Sequence, residues 1–440
     1  MQLEKVKTFI LWVLVGTSLL LTFALWTNRP DFEENPQDVV DSTDLGGDEE
    51  TMASIVEPTS IIFRNGSNYF GFTDPNDRQS LYQEMQSWSL YDLRTTSSNG
   101  PPSENNQVEL IFPDAIPMEL AGDLFTFNDE DDFPEWGFER LFITFNQDSN
   151  TMNVIFLSAE GDQQATAVIN NSERYGVLWE YLTTFEGLTE YSRVEAEDKP
   201  IYIPSNQVDL SNISIAAQTI NSSLMVDVLF SNPDIVTRNR ISENEINYTD
   251  SSRGIMWVYP NRRTMEFQDP LQTTYEPMEP ETLLDQSRMN INDHLGWTDE
   301  YNLMDITINA TTNTVRYQMH YEGYPVFGSN FSSIIEQQYR ATELHQYNRP
   351  LFSLGNYLGE DDANLLSGND VIDNLENSET YDIDNVNDIK IGYDLTYQRN
   401  ADAITLYPAW FMDYSGSWQK IDFQNKTQQR EGTEDAMEAD

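Results

Sequence analysis

The residues best suited to proton transfer or metal ligation at neutral pH are three histidines, His294, His320 and His345. They lie 26 and 25 residues apart, and none falls in an HxxxH or HExxH pattern that would bring two ligands onto one helix face. On a strand, His320 would share a face with Arg316 and Gln318 and meet solvent. His294 stands near the end of an expected helix, where an imidazolium is favourable without any further role. A shared histidine site is not expected. Carboxylates are the next resource, but 74 acidic residues supply many DxD spacings by chance, Asp382 with Asp384 among them. A calcium loop needs acids at alternate positions and a glycine at the sharp turn. DIDNVND (382–388) has Val386 in place of the third acid and lacks the glycine. Weak divalent-cation binding to the acidic surface is the most this allows. No GxSxG, no SxxK with a downstream KTG and no glycine-rich phosphate loop occurs, and Ser222-Ser223 have no base nearby in sequence. The sequons at Asn65, Asn212 and Asn221 matter only in a glycosylating pathway. These residue types point to no catalysis and no cofactor.

The elements that carry such residues begin with a hydrophobic stretch. Phe9 to Trp26 is eighteen residues without charge or proline, and its only hydroxyls are Thr17, Ser18 and Thr22. At 1.5 Å per residue it spans about 27 Å, the thickness of a bilayer's hydrocarbon core. Lys5 and Lys7 precede it and Asp31, Glu33 and Glu34 follow, which puts residues 1–8 in the cytoplasm and everything from about residue 28 outside. A cleaved signal peptide would have a shorter apolar core and a small-x-small site, whereas this run ends in Leu25, Trp26, Thr27, Asn28, Arg29 and Pro30. A buried helix of a soluble protein is a poor alternative, because the run is apolar all round and begins within nine residues of the terminus. The expectation is a single-pass anchor over 9–27. On it, Leu11, Val15, Ser18, Thr22 and Trp26 follow the spacing of one face, with Gly16 beside it. Small and hydroxylated residues there would let a partner helix approach closely, although any anchor contains a few.

The chain has 440 residues and a formal charge of −50, from 74 acids against 24 bases of which only six are lysine. No basic stripe exists to neutralise phosphates, so nucleic acid is excluded as a partner. The acidity suits a solvated surface in a salty or alkaline medium, or a patch for a cationic ligand. With no cysteine there is no disulfide, thiol nucleophile or thiolate site.

Residues 28–57, with ten acids from Asp31 to Glu57, read as a flexible acidic spacer. A first external domain is expected over 58–200. It opens on strands 59–64 and 68–72 joined through Asn65-Gly66, followed by a helix capped by Asp77 and running to Ser89. A polar loop (91–106), the strand VELIF (108–112), a short helix broken by Pro117, a hairpin over 140–158 and a helix 175–185 capped by Ser172 complete it. A second domain, 201–325, contains 216–230, whose class the sequence leaves open, then a hairpin over 254–267, a helix 281–295 and strands 302–310 and 313–327. A third, 326–425, contains a helix 366–377, strands 388–397 and 403–411 and a last strand 418–423. Connections are mostly too short for crossover helices, so the fold class is α+β with mostly antiparallel sheets. The last two domains share an order of helix, strand, turn, strand and Tyr-Pro, which suggests a repeated module with Tyr324-Pro325 equivalent to Tyr407-Pro408. Residues 426–440 form a polar tail.

The opening of the chain resembles the YycH family of membrane-anchored regulators of low-GC Gram-positive bacteria. Leu21, Thr22, Leu25, Trp26, Thr27 and Pro30 match its Leu-Thr-x-x-Leu-Trp-Thr-x-x-Pro stretch. GYPVF (323–327), RPLFSLGNY (349–357) and ITLYPAWF with Pro408, Trp410 and Phe411 resemble a module that the family shares with its sister protein YycI. The acidic spacer and the extreme charge depart from the pattern. The resemblance implies an external part of three domains and modulation of a WalK-like sensor histidine kinase linked to cell-wall metabolism. It further implies complex formation with that kinase and a YycI-like protein through transmembrane helices, with no catalytic group. Two rivals make different demands: a ligand-binding receptor should show a concave aromatic pocket between domains, and a wall-modifying enzyme convergent acids in a substrate groove.

Overall fold

The computed structural model describes residues 43–128, 132–196, 199–250, 254–270, 275–398 and 402–423. The anchor over 9–27 lies outside them, as do the contact residues proposed on it and the C-terminal tail. Among the described residues no helix is long and apolar enough to cross a membrane.

Two large sheets share the work. The first has ten strands in the order 201–204, 188–194, 68–72, 60–65, 106–117, 137–146, 151–158, 163–169, 89–97, 126–127. Every pairing in it is antiparallel except the short contact of Ser89 and Leu90 with Thr126 and Phe127. Alternation sets its faces: in Gln163–Ile169, Ala165, Ala167 and Ile169 are buried while their neighbours are not. Phe63, Phe112, Phe138 and Phe156 fill the covered face, and Leu178 and Leu182 of helix Ser172–Thr184 are buried with them. Burial of each such side chain is worth roughly 1.5–3 kcal/mol.

The second sheet has fourteen strands. Its main path runs 237–242, 245–249, 255–259, 264–268, 343–350, 334–340, 313–321, 324–327, 386–397, 403–414, 211–219, 352–362. Strand 301–308 pairs beside 313–321 and strand 417–420 beside 403–414. It is mixed rather than wholly antiparallel, because Val326 and Phe327 run parallel to Tyr393 and Asp394. Helix Pro280–Asn292 buries Leu283, Leu284 and Ile291. Helix Gly368–Glu376 packs Val371 and Leu375 into a second core with Ile203, Ile389 and Trp410. That core spans both sheets, since Ile203 belongs to the first. A side chain at Gly368 would put its Cβ 2.0 Å from the Pro204 carbonyl oxygen, so glycine permits this contact.

Several local expectations change. Asp74, not Asp77, caps the helix Pro75–Gln86; its side chain accepts from the Asn76 N–H at 2.9 Å, with Pro75 at the first helical position. Asn171, not Ser172, caps the next, accepting from Glu173 and Arg174. The segment read as a polar loop is strand as far as Ser97, its alternation hidden because most of its side chains are exposed. Residues 113–117 continue a strand, and the helical turns begin only at Met118. Residues 216–230 divide into the end of strand Ser211–Thr219 and helix Ser222–Leu229.

The stretch expected as spacer joins the fold from Thr43. Leu45, Met52, Ile55 and Val56 are buried, and Leu45, Gly47 and Asp48 bond the backbone of 294–297. The boundary expected between 325 and 326 falls inside strand 324–327 of the second sheet, which is bonded to 313–321 and 386–397. Both helix-plus-hairpin units exist. However, Tyr324-Pro325 opens a separate short strand, whereas Tyr407-Pro408 sits within strand 403–414 opposite Asp394 and Tyr393.

Candidate functional site

A cleft of about 1030 Å³ opens where the first sheet meets the second. The first sheet contributes strands 60–65, 188–194 and 201–204 with the start of helix 75–86. The second contributes strands 301–308, 313–321, 324–327 and 386–397.

Arg78 stands half-buried in its wall. Asp74 and Pro75 start the helix, and one turn later the guanidinium donates to the Thr59 carbonyl at 2.7 Å and to the Gly323 carbonyl at 3.2 Å. These acceptors belong to the two different halves. Gly323 has φ +73°, and a Cβ there would stand 2.7 Å from Cβ of Pro75, so glycine serves both the turn and the close approach. Among the described residues no carboxylate lies within ion-pair distance of Arg78. Glu57, the nearest in influence, is buried and accepts from Gln79 at 3.1 Å and Asn302 at 3.4 Å. Burial raises its pKa, against the opposing pull of those bonds and of Arg78.

Strand 313–321 supplies a wall. Arg316, Gln318 and His320 share a face, as the period of two requires, and that face lines the cleft, with Gln318 buried and Arg316 and His320 partly so. Arg316 binds Glu336 at 2.6 Å and Asp305 at 3.1 Å. His320 Nδ1 lies 3.0 Å from the Gln318 carbonyl, which can only accept, so Nδ1 carries the proton and Nε2 keeps a free lone pair. Burial above all holds its pKa down at about 3, helped by Arg78 and Lys390 against the backbone bond, so the ring is neutral at physiological pH.

Asp114 ties the sheets together by accepting from the Ile306 N–H at 2.6 Å as well as its neighbour Ala115 at 2.7 Å. At the other end Lys390 pairs with Asp388 at 2.8 Å and lies 4.6 Å from the centre of the Trp418 ring. Asp413 accepts from Asn387 at 3.3 Å through Oδ2, while its buried Oδ1 has no partner among the described residues. Among the cleft's carboxylates, Glu57 and Asp114 are held by amides and Asp305 and Asp388 by cations.

The three histidines do not converge. His294 Nε2 faces the Tyr347 hydroxyl at 3.1 Å, and His345 Nδ1 faces the Asp269 carbonyl at 2.8 Å. His294 lies just past the helix end as expected, but burial and then Arg349 lower its pKa to about 3, so it is no imidazolium there. Among the described residues no three acidic or imidazole groups are arranged to hold a metal ion. Asp382 caps a single turn by accepting from Asp384, and Ser222 Oγ meets the Tyr248 hydroxyl at 3.1 Å. Asn65 and Asn212 donate to the carbonyls of Leu182 and Asp362, and Asn221 caps helix 222–229. Leu11, Val15, Gly16, Ser18, Thr22 and Trp26 lie outside the described residues.

Comparison with known proteins bears on what such a molecule is for. The profile of the YycH protein N-terminal domain matches residues 4–186, and that of its C-terminal domain matches residues 198–428. The chain belongs to the YycH family. The two-component system WalR/WalK regulatory protein YycH of Bacillus subtilis (strain 168) is 21% identical over 443 residues, covering 94% of this chain and 96% of that protein. The crystal structure of YycH from Bacillus subtilis superposes with a TM-score of 0.70 at 19% identity, covering 86% of this chain and 99% of that one. The mixed α+β architecture of two sheets is thus a YycH fold. The family profiles also part the chain between 186 and 198, close to where strand 201–204 ends the first sheet. Sequence reasoning missed the cleft of this YycH-family chain because its walls are strands far apart in sequence. The one legible signal was the shared face of Arg316, Gln318 and His320.

Proposed function

We propose that this chain is a non-catalytic, membrane-anchored regulator of a WalR/WalK-type two-component system. It acts by forming a complex with a WalK-like sensor kinase and a YycI-like membrane protein. The observation that carries this reading is the likeness to the Bacillus subtilis regulatory protein over 94% of this chain. The 9–26 run supplies the anchor, with the fold outside the cytoplasm, and the face of Leu11, Val15, Ser18, Thr22 and Trp26 with Gly16 supplies the partner contact. A single interhelical hydroxyl bond in lipid contributes only about 0.6–2 kcal/mol, so several residues must share the interface. The double change Ser18→Leu with Thr22→Leu keeps the span apolar and adds bulk on that face. It should leave insertion and external folding intact, reduce co-purification with the kinase and change kinase output. Recovery of the complex at wild-type yield, with full regulation restored by an unrelated anchor helix, would overturn it.

A ligand-binding receptor is the second reading, and the cleft is the observation in its favour. It is concave, it lies between the two sheets, and Tyr191, Tyr324, Trp410 and Trp418 are in its walls.

A further inference from the structure

The cleft is lined by eight carboxylates, Glu57 and Asp413 among them, against four cations, Arg78, Lys199, Arg316 and Lys390. Three of those cations are already neutralised: Lys199 by Glu139, Arg316 by Asp305 and Glu336, and Lys390 by Asp388. Arg78 is the exception. Two of its five N–H donors go to main-chain carbonyls. The carboxylate best placed to balance it, Glu57, is occupied by two side-chain amides. A half-buried guanidinium with free donors and no anion is a ready receptor for a carboxylate.

The opposite defect lies on the strand 403–414. Asp413 stands opposite Asp388 on one side and Trp418 on the other. The Asp388 carboxylate takes the ammonium of Lys390, and Asp413 Oδ1 is left buried and without a donor among the described residues. Leaving such an atom unpaired costs more than a typical hydrogen bond contributes, so a turn of the Asp413 carboxylate into the cleft whose wall it forms, to meet a ligand donor, is favoured. A simple anion does not fit, because the excess of carboxylates in the cleft and the −50 charge of the whole chain would repel it. A simple cation leaves Arg78 unanswered.

We propose that the cleft binds a short zwitterionic peptide, with its terminal carboxylate on Arg78, an ammonium toward Asp413, and its chain against the aromatic walls. The volume of about 1030 Å³ lies at the upper end of ligand pockets and suits several residues of peptide. A carboxylate arriving at Arg78 sits on the guanidinium that also holds the Gly323 carbonyl of the second half, so occupancy bears on the residue that joins the halves.

The test is calorimetric titration of the full-length protein in detergent with alanyl-lysyl-alanine, its C-terminal amide and its N-acetyl derivative. The free tripeptide should bind saturably. Amidation should weaken it about tenfold or more, as loss of a charged pairing implies. Arg78→Gln should weaken the free acid by a similar factor but leave the amide nearly unchanged. Asp413→Asn should likewise erase the difference between the free amine and the N-acetyl form. No saturable binding of the free tripeptide up to about 10 mM, or equal binding of acid and amide, would overturn the proposal. So would an Arg78→Gln effect of the same size on both probes. Should that variant not fold, the acid-to-amide ratio on the unaltered protein decides.

Discussion

Asp299 offers a test of how burial governs this fold. It follows helix 280–292 and is half-buried, and its Oδ1 accepts from the Leu354 N–H at 2.7 Å. Nearby Arg349 is fully buried; its guanidinium donates to the Pro350 carbonyl, the Tyr347 hydroxyl and Thr298 Oγ1 at 3.2–3.3 Å, and no carboxylate reaches it within ion-pair distance among the described residues. Burial raises the Asp299 pKa from 3.8 to about 7, against the Leu354 bond and the pull of Arg349. Between those values the folded chain keeps a proton that the unfolded chain releases, so this group lowers stability as pH rises through the window, and the loss is complete above pH 7. At 1.36 kcal/mol per unit the full loss is about 4 kcal/mol, and water reaching part of the side chain reduces it to about 2–4 kcal/mol. Asp299→Asn resembles the protonated form and keeps the acceptor for Leu354. Urea unfolding of a fragment of residues 43–423 should therefore show variant and wild type equal near pH 4, with the variant more stable by about 2–4 kcal/mol at pH 8. His294 and His320, with pKa values held at about 3, act oppositely between about 3 and 6.5, but their effect cancels in the difference. A variant less stable than wild type at pH 8 would refute the reasoning, because the attraction of Arg349 would then outweigh desolvation.

In the first sheet, Arg140→Met should cost about 3–5 kcal/mol in urea, since it strands the buried Glu109, which Arg140 Nε holds at 2.5 Å. Adding Glu109→Gln should recover most of that loss. Asn171→Ala should cost about 1 kcal/mol in the same measurement by removing the cap of helix 172–184. Gly368→Ala should cost about 1–3 kcal/mol by driving a methyl against the Pro204 carbonyl, read as a lower thermal midpoint. Protease added to intact protoplasts should digest the folded part, and complete protection would contradict an external location.

Elements whose partner lies next to them in sequence could be read directly. The Asn65-Gly66 turn, the hairpin of strands 137–146 and 151–158, and the hairpin through Pro260-Asn261 all announce themselves by alternation around a turn. Helices 280–292 and 368–376 show their apolar stripes equally plainly. The order of strands did not, because nothing local tells strand 264–268 that its next neighbour is 343–350. Edge positions hid the strand at 89–97, and the choice between Asp74 and Asp77 as cap turned on Pro75, which suits the first helical position. Membership of the YycH family was legible because short contiguous stretches carry it, the Leu-Thr-x-x-Leu-Trp-Thr-x-x-Pro run over 21–30 and GYPVF at 323–327 among them. The cleft was not legible, since Arg78 and Gly323 are 245 residues apart.

The two sheets close in different ways as the chain emerges. Every strand of the first lies between 60 and 204, so all its pairings are available once that stretch has been delivered. The second begins with strand 211–219, whose neighbours among the described residues are 352–362 and 403–414. That strand must wait through about 130 residues of later chain, with both hydrogen-bonding edges open and Ile213 and Ile215 uncovered. A chain delivered across a membrane from residue 28 onward would thus show an assembled first sheet while strand 211–219 of the second still lacked its partners. With no cysteine to lock an early arrangement, the interval ends only when residues 403–414 arrive. Premature termination after residue 350 would leave strand 211–219 with neither partner, a template for pairing with a neighbouring chain, even though the first sheet was intact.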